Sequence, residues 1–246
     1  MSATLSSPTR RICILDNDNL DPAVADAYVS YGAMTEKMFA AAGVPWRFER
    51  FNTTRGEYPE SFDAYDAVLL TGSKADSFSD EPWVRTLRER TSELLAQRKK
   101  LLGICFGHQL IAVCLGADVG RAAQGWGMGR MRYEWLGEPP LKPAAADATI
   151  NLLASHQDQV RSLPAGATLL ARSEFCPIAA YRVDDHVFCI QPHPEFVEDY
   201  SAWILSKRPE SVAADRREHV RAEMALPHDG LDVARFMQAF VEGAPA

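Results

Sequence analysis

The strongest constraint on how this chain folds is a junction. Lys100 to Ile104 (KLLGI) reads as a buried strand, and a helical pattern from Phe106 to Leu115, closed by Gly116, follows it with no linker. A strand that turns straight into a helix needs small residues where the two elements meet. Gly103-Ile104-Cys105-Phe106-Gly107 supplies them on both sides of a cysteine, in the pattern glycine, any residue, nucleophile, any residue, glycine. Such a turn is strained and lifts the Cys105 sulfur out at the carboxyl end of the strand, where ligands of parallel sheets bind. Unpaired backbone N–H groups at the start of the following helix favour negative charge on that sulfur. Cys105 is therefore read as a nucleophile, whereas Cys13, Cys114 and Cys189, embedded in apolar runs, are read as small core residues.

The same alternation of strand and helix recurs through the first half. Arg11 to Asp16 reads as a buried strand ending in a polar loop. Met34, Met38, Phe39 and Ala42 recur at helical spacing until Gly43 and Pro45 stop them, so the second half of the stretch 21–42 is expected to be helix and Asp18 to Tyr31 a long loop. Trp46 to Phe51 and Asp66 to Leu70 are strands, with Thr71-Gly72-Ser73 the turn beyond the second. Asp80-Glu81-Pro82 opens a helix whose buried face is Trp83, Leu87, Leu94 and Leu95.

After Gly116 the pattern turns to strands, expected at Gly129 to Leu136, Ala148 to Ala154, Ala167 to Ser173, Ile178 to Val183 and His186 to Gln191. Gly137 to Asp147, with three prolines and three alanines, reads as a surface loop. The tail from Glu198 is helical, with Leu231, Val233, Phe236, Met237 and Phe240 at helical spacing. The expectation is one α/β domain over 1–246, with a core from about 11 to 197 and a helical extension from 198; at 47% apolar residues the chain can bury one sizeable core.

Charge and composition narrow the partners. The net charge is −7 and Lys and Arg are scattered among acids, so no basic stripe exists to follow a phosphate backbone, and nucleic acid is not expected. No run approaches the roughly 20 apolar residues of a membrane helix, and Met1 to Arg11 is too polar for a signal core. The five cysteines are odd in number and lack C-x-x-C spacing, so neither a zinc site nor a disulfide framework is expected and a reducing cytoplasm fits.

A thiol nucleophile needs an imidazole, and the chain offers His108, His156, His186, His193, His219 and His228. His108 lies in the first turn of the helix that follows Cys105, where its ring does not easily meet a sulfur on the preceding elbow. His193 follows a strand in Gln191-Pro192-His193-Pro194-Glu195-Phe196, so two prolines stiffen a loop over the carboxyl edge of the sheet. Glu195, two residues on in extended chain, is placed to accept the other ring N–H and set the tautomer.

Gly103 to Ala112 (GICFGHQLIA) and Gln191 to Phe196 (QPHPEF) together resemble the class I glutamine amidotransferases, in that family's order and at about its separation. Ser155-His156-Gln157-Asp158, with Val160 and Leu163-Pro164, is most similar to the GMP-synthase-like members and the related γ-glutamyl peptidases. The resemblance spans roughly Ile12 to Val197. It implies a three-layer, flavodoxin-like α/β fold whose sheet is mostly parallel with an added antiparallel part. It further implies Cys105, His193 and Glu195 as a triad, the backbone N–H groups of Gly72 and Phe106 as an oxyanion hole, and Gln109, Ser155 and His156 at the amino-acid end of the substrate. Trp126, in a glycine-rich turn (QGWGMG) similar to one these members carry, either walls the pocket or caps the core.

The activity so implied is hydrolysis of the γ-amide of glutamine or of a γ-glutamyl compound through a thioester, with no metal or organic cofactor. The chain carries no P-loop, so an amidotransferase role requires a separate synthetase partner. A stand-alone γ-glutamyl peptidase is the alternative. A non-catalytic binding module on the same fold is a third, which the presence of all three triad residues disfavours.

Overall fold

The computed structural model describes residues 9–137, 141 and 148–243. In chain order its elements are β1 (Arg11–Asp16), α1 (Pro22–Tyr28), α2 (Tyr31–Ala41), β2 (Arg47–Asn52), β3 (Ala67–Leu70), α3 (Pro82–Ala96), β4 (Lys100–Ile104) and α4 (Phe106–Cys114). Then follow β5 (Val119–Arg121), β6 (Gly127–Trp135), β7 (Thr149–His156), β8 (Asp158–Val160), β9 (Ala167–Arg172), β10 (Ala180–Val183) and β11 (Val187–Ile190). Helices α5 (Glu198–Lys207), α6 (Arg217–Met224) and α7 (Gly230–Glu242) complete the described chain.

Nine strands form one sheet in the order β2-β1-β3-β4-β11-β10-β9-β6-β7. The β2, β1, β3, β4 and β11 pairings are parallel, and from β11 outward every pairing is antiparallel. The parallel strands are apolar on both faces, because each face carries helices. Ile12 and Ile14 point into a layer with Met38 and Phe39 of α2, while Cys13 and Leu15 point the other way, into a layer with Val84 and Leu87 of α3 and Leu110 and Ile111 of α4. This is the expected three-layer α/β arrangement, with a parallel core and an antiparallel part.

The stretch expected to be a loop between Asp18 and Tyr31 contains α1. Its only buried residue is Val24, so no apolar stripe announces it; Asp21 caps it by accepting the Ala23 N–H at 2.9 Å, Pro22 opens it, and Val29 at φ 66° ends it. Strands β5 and β8 pair antiparallel in a small second sheet that the sequence does not announce, since three residues are too few to show alternation. Of the expected loop from Gly137 to Asp147, residues 138–140 and 142–147 lie outside the described residues.

The carboxyl-terminal extension is built into the core. Val233, Ala234 and Met237 of α7 are fully buried in the same cluster as Ile12, Leu102 and Phe188, and Phe236 meets Trp135 edge-on with ring centroids 5.1 Å apart. At about 1.5–3 kcal/mol for each large apolar side chain buried, this face alone anchors the helix.

Candidate active site

The junction between β4 and α4 has the strain its sequence predicts. Cys105 sits at the cap of α4 with φ 50° and ψ −100°, outside the regions open to most L-residues. Its N–H donates to the Ile190 carbonyl at 2.9 Å, its carbonyl accepts from Gln109 N–H at 3.0 Å, and Gly107 N–H donates to the Thr71 carbonyl at 3.2 Å. The elbow is thereby tied to β11 on one side and to the turn after β3 on the other. Both flanking glycines are sterically required: a Cβ at Gly103 would lie 2.8 Å from the Gly107 carbonyl carbon, and one at Gly107 would run into the Leu70 carbonyl. The backbone N–H groups of Gly72 and Phe106 donate to no protein acceptor among the described residues, the condition for receiving an oxyanion.

His193 reaches this elbow from a loop held at both ends. Its N–H donates to the Leu153 carbonyl of β7 at 2.8 Å. Its Nδ1 lies 2.8 Å from Glu195 Oε1, with both side chains almost fully buried, and the Cys105 side chain is a further hydrogen-bonding partner of the ring. Burial disfavours the imidazolium, but the negative charges of Cys105 and Glu195 outweigh it and push the His193 pKa up to about 10. The ring is stacked on Phe196 at 3.8 Å and 9°, with Tyr31 beyond. Behind the loop, Asn151 N–H donates to Asp229 Oδ2 at 2.7 Å and Asp229 N–H to the Asn151 carbonyl at 2.8 Å. These bonds seat Gly230 so close to the Pro194 carbonyl that no side chain fits there.

Two expected outcomes follow from this geometry. A Cβ at Gly72 would lie 2.8 Å from His193 Cε1, and the ring cannot retreat because Phe196 backs it. Gly72→Ala is therefore expected to lower kcat about 10²–10³-fold by displacing the imidazole and the neighbouring donor. Circular dichroism should be unchanged; kcat within a few-fold of the parent would refute the crowding argument. For Glu195→Gln the amide oxygen can still accept the Nδ1 proton, but the charge that holds the imidazolium is gone. The alkaline limb of kcat/KM, expected near pH 10 in the parent, should move down by about one unit or more. A limb that stays in place would show that Glu195 does not hold the proton on His193.

The remaining sequence-predicted residues are distributed as follows. Gln109 is buried, and its amide N–H groups donate to the Asp158 carbonyl at 2.9 Å and to Gln191 Oε1 at 3.1 Å. Ser155 lines a cavity of about 610 Å³ that reaches His193. His156 lies under Gly127, with Nδ1 3.2 Å from the Asp158 carbonyl. Trp126 does not line that cavity; it borders a neighbouring groove, and the Arg208 guanidinium stacks on it 4.6 Å from the ring centroid. His108 is fully buried against Tyr181 and does not line the cavity. Burial pushes the Cys13, Cys176 and Cys189 thiols up to about 12, which suits the core role read for Cys13 and Cys189; Cys114 is only half-buried, and all five cysteines are free.

Sequence reading missed Gln191, although it begins the histidine motif, and the cavity wall formed by Tyr31, Tyr200 and Arg208, which comes from separate helices and has no local pattern. The stretch Asp18 to Tyr31 does line the cavity, through Asp18, Asn19 and Tyr31 among others. Among the described residues no cluster of three or more His, Cys, Asp or Glu is arranged to hold a metal ion, and no helix is long and apolar enough to cross a membrane.

Comparison with known proteins agrees with this arrangement. The family model "Glutamine amidotransferase class-I" matches residues 23–202. The chain is 36% identical to γ-glutamyl peptidase 3 of Arabidopsis thaliana over 181 residues, 70% of this chain and 72% of that protein. It is 31% identical over 146 residues to the glutamine-hydrolysing component of the GMP synthase of Methanocaldococcus jannaschii, 58% of this chain and 72% of that protein. In fold it is similar to the crystal structure of a glutamine amidotransferase from Thermotoga maritima, with a TM-score of 0.75 at 20% identity over 95% of this chain and 98% of the other. With its family model spanning most of the sheet, the elbow and the histidine loop, the chain belongs to the class I glutamine amidotransferase family.

Proposed function

We propose that this protein hydrolyses γ-glutamyl amide bonds with Cys105 as nucleophile, His193 as acid and base, and Glu195 orienting the imidazole. The observation that carries this reading is the buried His193 Nδ1 to Glu195 contact at 2.8 Å beside a cysteine held strained at the start of a helix. The Cys105 thiolate attacks the γ-carbonyl, and the oxygen's new negative charge is received by the N–H groups of Gly72 and Phe106. The C–N bond breaks as the His193 imidazolium gives its proton to the departing nitrogen, leaving a thioester and a neutral imidazole. Water then attacks, His193 takes its proton, the C–S bond breaks, and glutamate departs as the thiolate is restored. The Gln109, Ser155 and His156 region faces the amino-acid end of the glutamyl group. The reading requires no metal or organic cofactor, and a reducing compartment such as the cytoplasm keeps the thiol free.

The cavity of about 610 Å³ falls in the range of roughly 300–1,000 Å³ that encloses ligands much larger than ammonia, which favours a γ-glutamyl peptide over free glutamine. Similarity to a γ-glutamyl peptidase over 70% of the chain supports the same choice. The second reading, a glutaminase feeding ammonia to a separate synthetase, has the similarity to the GMP synthase component in its favour. Glutamate release from L-glutamine and from a γ-glutamyl dipeptide, each compared with Cys105→Ala, separates the two. Preference for the dipeptide supports the peptidase, and turnover of glutamine alone supports the synthetase-coupled glutaminase. Failure on both, with no labelling of Cys105 by an electrophilic glutamine analogue, overturns the catalytic reading.

A further inference from the structure

The cavity that reaches His193 has two unlike ends. One is formed by Ser73, Lys74 and Ser155, and there the Lys74 Nζ lies 3.0 Å from Asp18, which neutralises it. The other is formed by α5, through Tyr200, Trp203, Lys207 and Arg208, and among the described residues neither Lys207 nor Arg208 has a carboxylate within ion-pair distance. Indoles support both cations instead: the Arg208 guanidinium lies 4.6 Å from the Trp126 centroid, and the Lys207 Nζ lies 5.7 Å from that of Trp203. A ring face positions a cation without cancelling its charge, so both stay available to an anion.

Positive charge at the end of a helix complements the dipole, and Arg208 N–H does bond to the Ile204 carbonyl at 3.0 Å. That accounts for cations after Ser206. It does not account for a guanidinium laid on an indole beside the cavity, when a solvated arginine would serve the dipole equally. Between this end and His193 the wall is aromatic: Phe196 stacks on Tyr31 with centroids 5.7 Å apart and meets Tyr200 edge-on at 5.0 Å. Outward from the imidazole that protonates the leaving nitrogen, a bound molecule thus meets an apolar stretch and then two unneutralised cations.

Resting on the γ-glutamyl hydrolase reading, we propose that Arg208, assisted by Lys207, is a specificity-determining anion site for the amine portion of the substrate. The substrates so selected are γ-glutamyl amides whose leaving amine carries an apolar body and a carboxylate, as in a γ-glutamyl dipeptide with a free carboxyl terminus. Free glutamine, which releases only ammonia, presents nothing to this end of the cavity. Trp126 then acts through Arg208, as the platform that aims it, and touches no substrate.

The test compares γ-glutamyl-phenylalanine with γ-glutamyl-phenylalanine amide, on the full chain and on Arg208→Gln. The parent is expected to prefer the free carboxylate at least tenfold in kcat/KM, mostly through KM, and Arg208→Gln to collapse that ratio to within about twofold. Lys207→Gln, on an exposed side chain, should lower the ratio less and serves as the second variant if Arg208→Gln does not fold. Equal parent activity on the two substrates overturns the proposal, as does an Arg208→Gln variant that loses activity on both in equal proportion. Labelling of Cys105 by an electrophilic glutamine analogue separates the two levels: labelling with no carboxylate preference removes only the anion site, whereas no labelling and no turnover removes the hydrolase reading and the anion site with it.

Discussion

Cys105→Ala and Cys105→Gly are both expected to lose about 10⁴-fold or more of turnover, yet the glycine variant is expected to be the more stable of the two. Elsewhere in a folded element glycine is worse than alanine by roughly 0.5–1 kcal/mol, because it surrenders more backbone freedom on folding. At φ 50° and ψ −100° the ordering reverses, since any Cβ is strained there and strain of this kind costs of order 1–3 kcal/mol. The two variants equally lack the thiol, so their difference isolates the backbone. Glycine should lead by about 1–2 kcal/mol, or roughly 2–8 °C in Tm for a chain of this size. Thermal melts and glutamate-release assays on both variants decide the matter. A more stable alanine variant would mean that the elbow carries no strain, and residual activity in either would remove Cys105 from the chemistry.

The second large effect is acid lability from two buried histidines that stay neutral. Burial depresses the His108 pKa to about 3 and the His156 pKa to about 4, the latter helped by the nearby His193 and opposed by its bond to the Asp158 carbonyl. Both lie below the ordinary value near 6.5, so between those limits the unfolded chain binds more protons than the folded one. Stability is therefore complete above pH 6.5 and declines as the pH falls, by about 1.4 kcal/mol per pH unit for each histidine. Between pH 7 and pH 5 the pair removes about 4 kcal/mol. His193, with its raised pKa, acts in the opposite sense, so the clean measurement is a difference. His108→Phe keeps a ring against Tyr181 and removes one titration; in urea unfolding it should lose about 2 kcal/mol less than the parent over that interval. Equal losses would show that His108 takes up no extra proton on unfolding.

What the sequence made legible follows from how local each feature is. The elbow is written within five residues and the base with its orienting acid within three, so their spacing fixed their geometry before any coordinates. The parallel strands carried continuous apolar runs, and α3 and α7 carried periodic faces. Helix α1 stayed hidden because it buries only Val24, and β5 and β8 because three residues cannot display a period. The cavity wall stayed hidden for a different reason. Tyr31, Phe196 and Arg208 become neighbours only when α2, the histidine loop and α5 converge over the sheet edge, and no rule of spacing joins residues so far apart in the chain.

The loop before α7 reaches back into the site, through Asp229 on β7 and Gly230 against the Pro194 carbonyl. Because the segment that carries the imidazole is gripped from behind by the far end of the chain, the catalytic base is assembled last in synthesis. A nascent chain that has already folded its sheet and exposed its cysteine still lacks the clamp that aims the histidine. Activity in this architecture is therefore a property of the finished polypeptide, and a ribosome-bound or carboxyl-terminally shortened chain would hold its nucleophile in place without the means to use it.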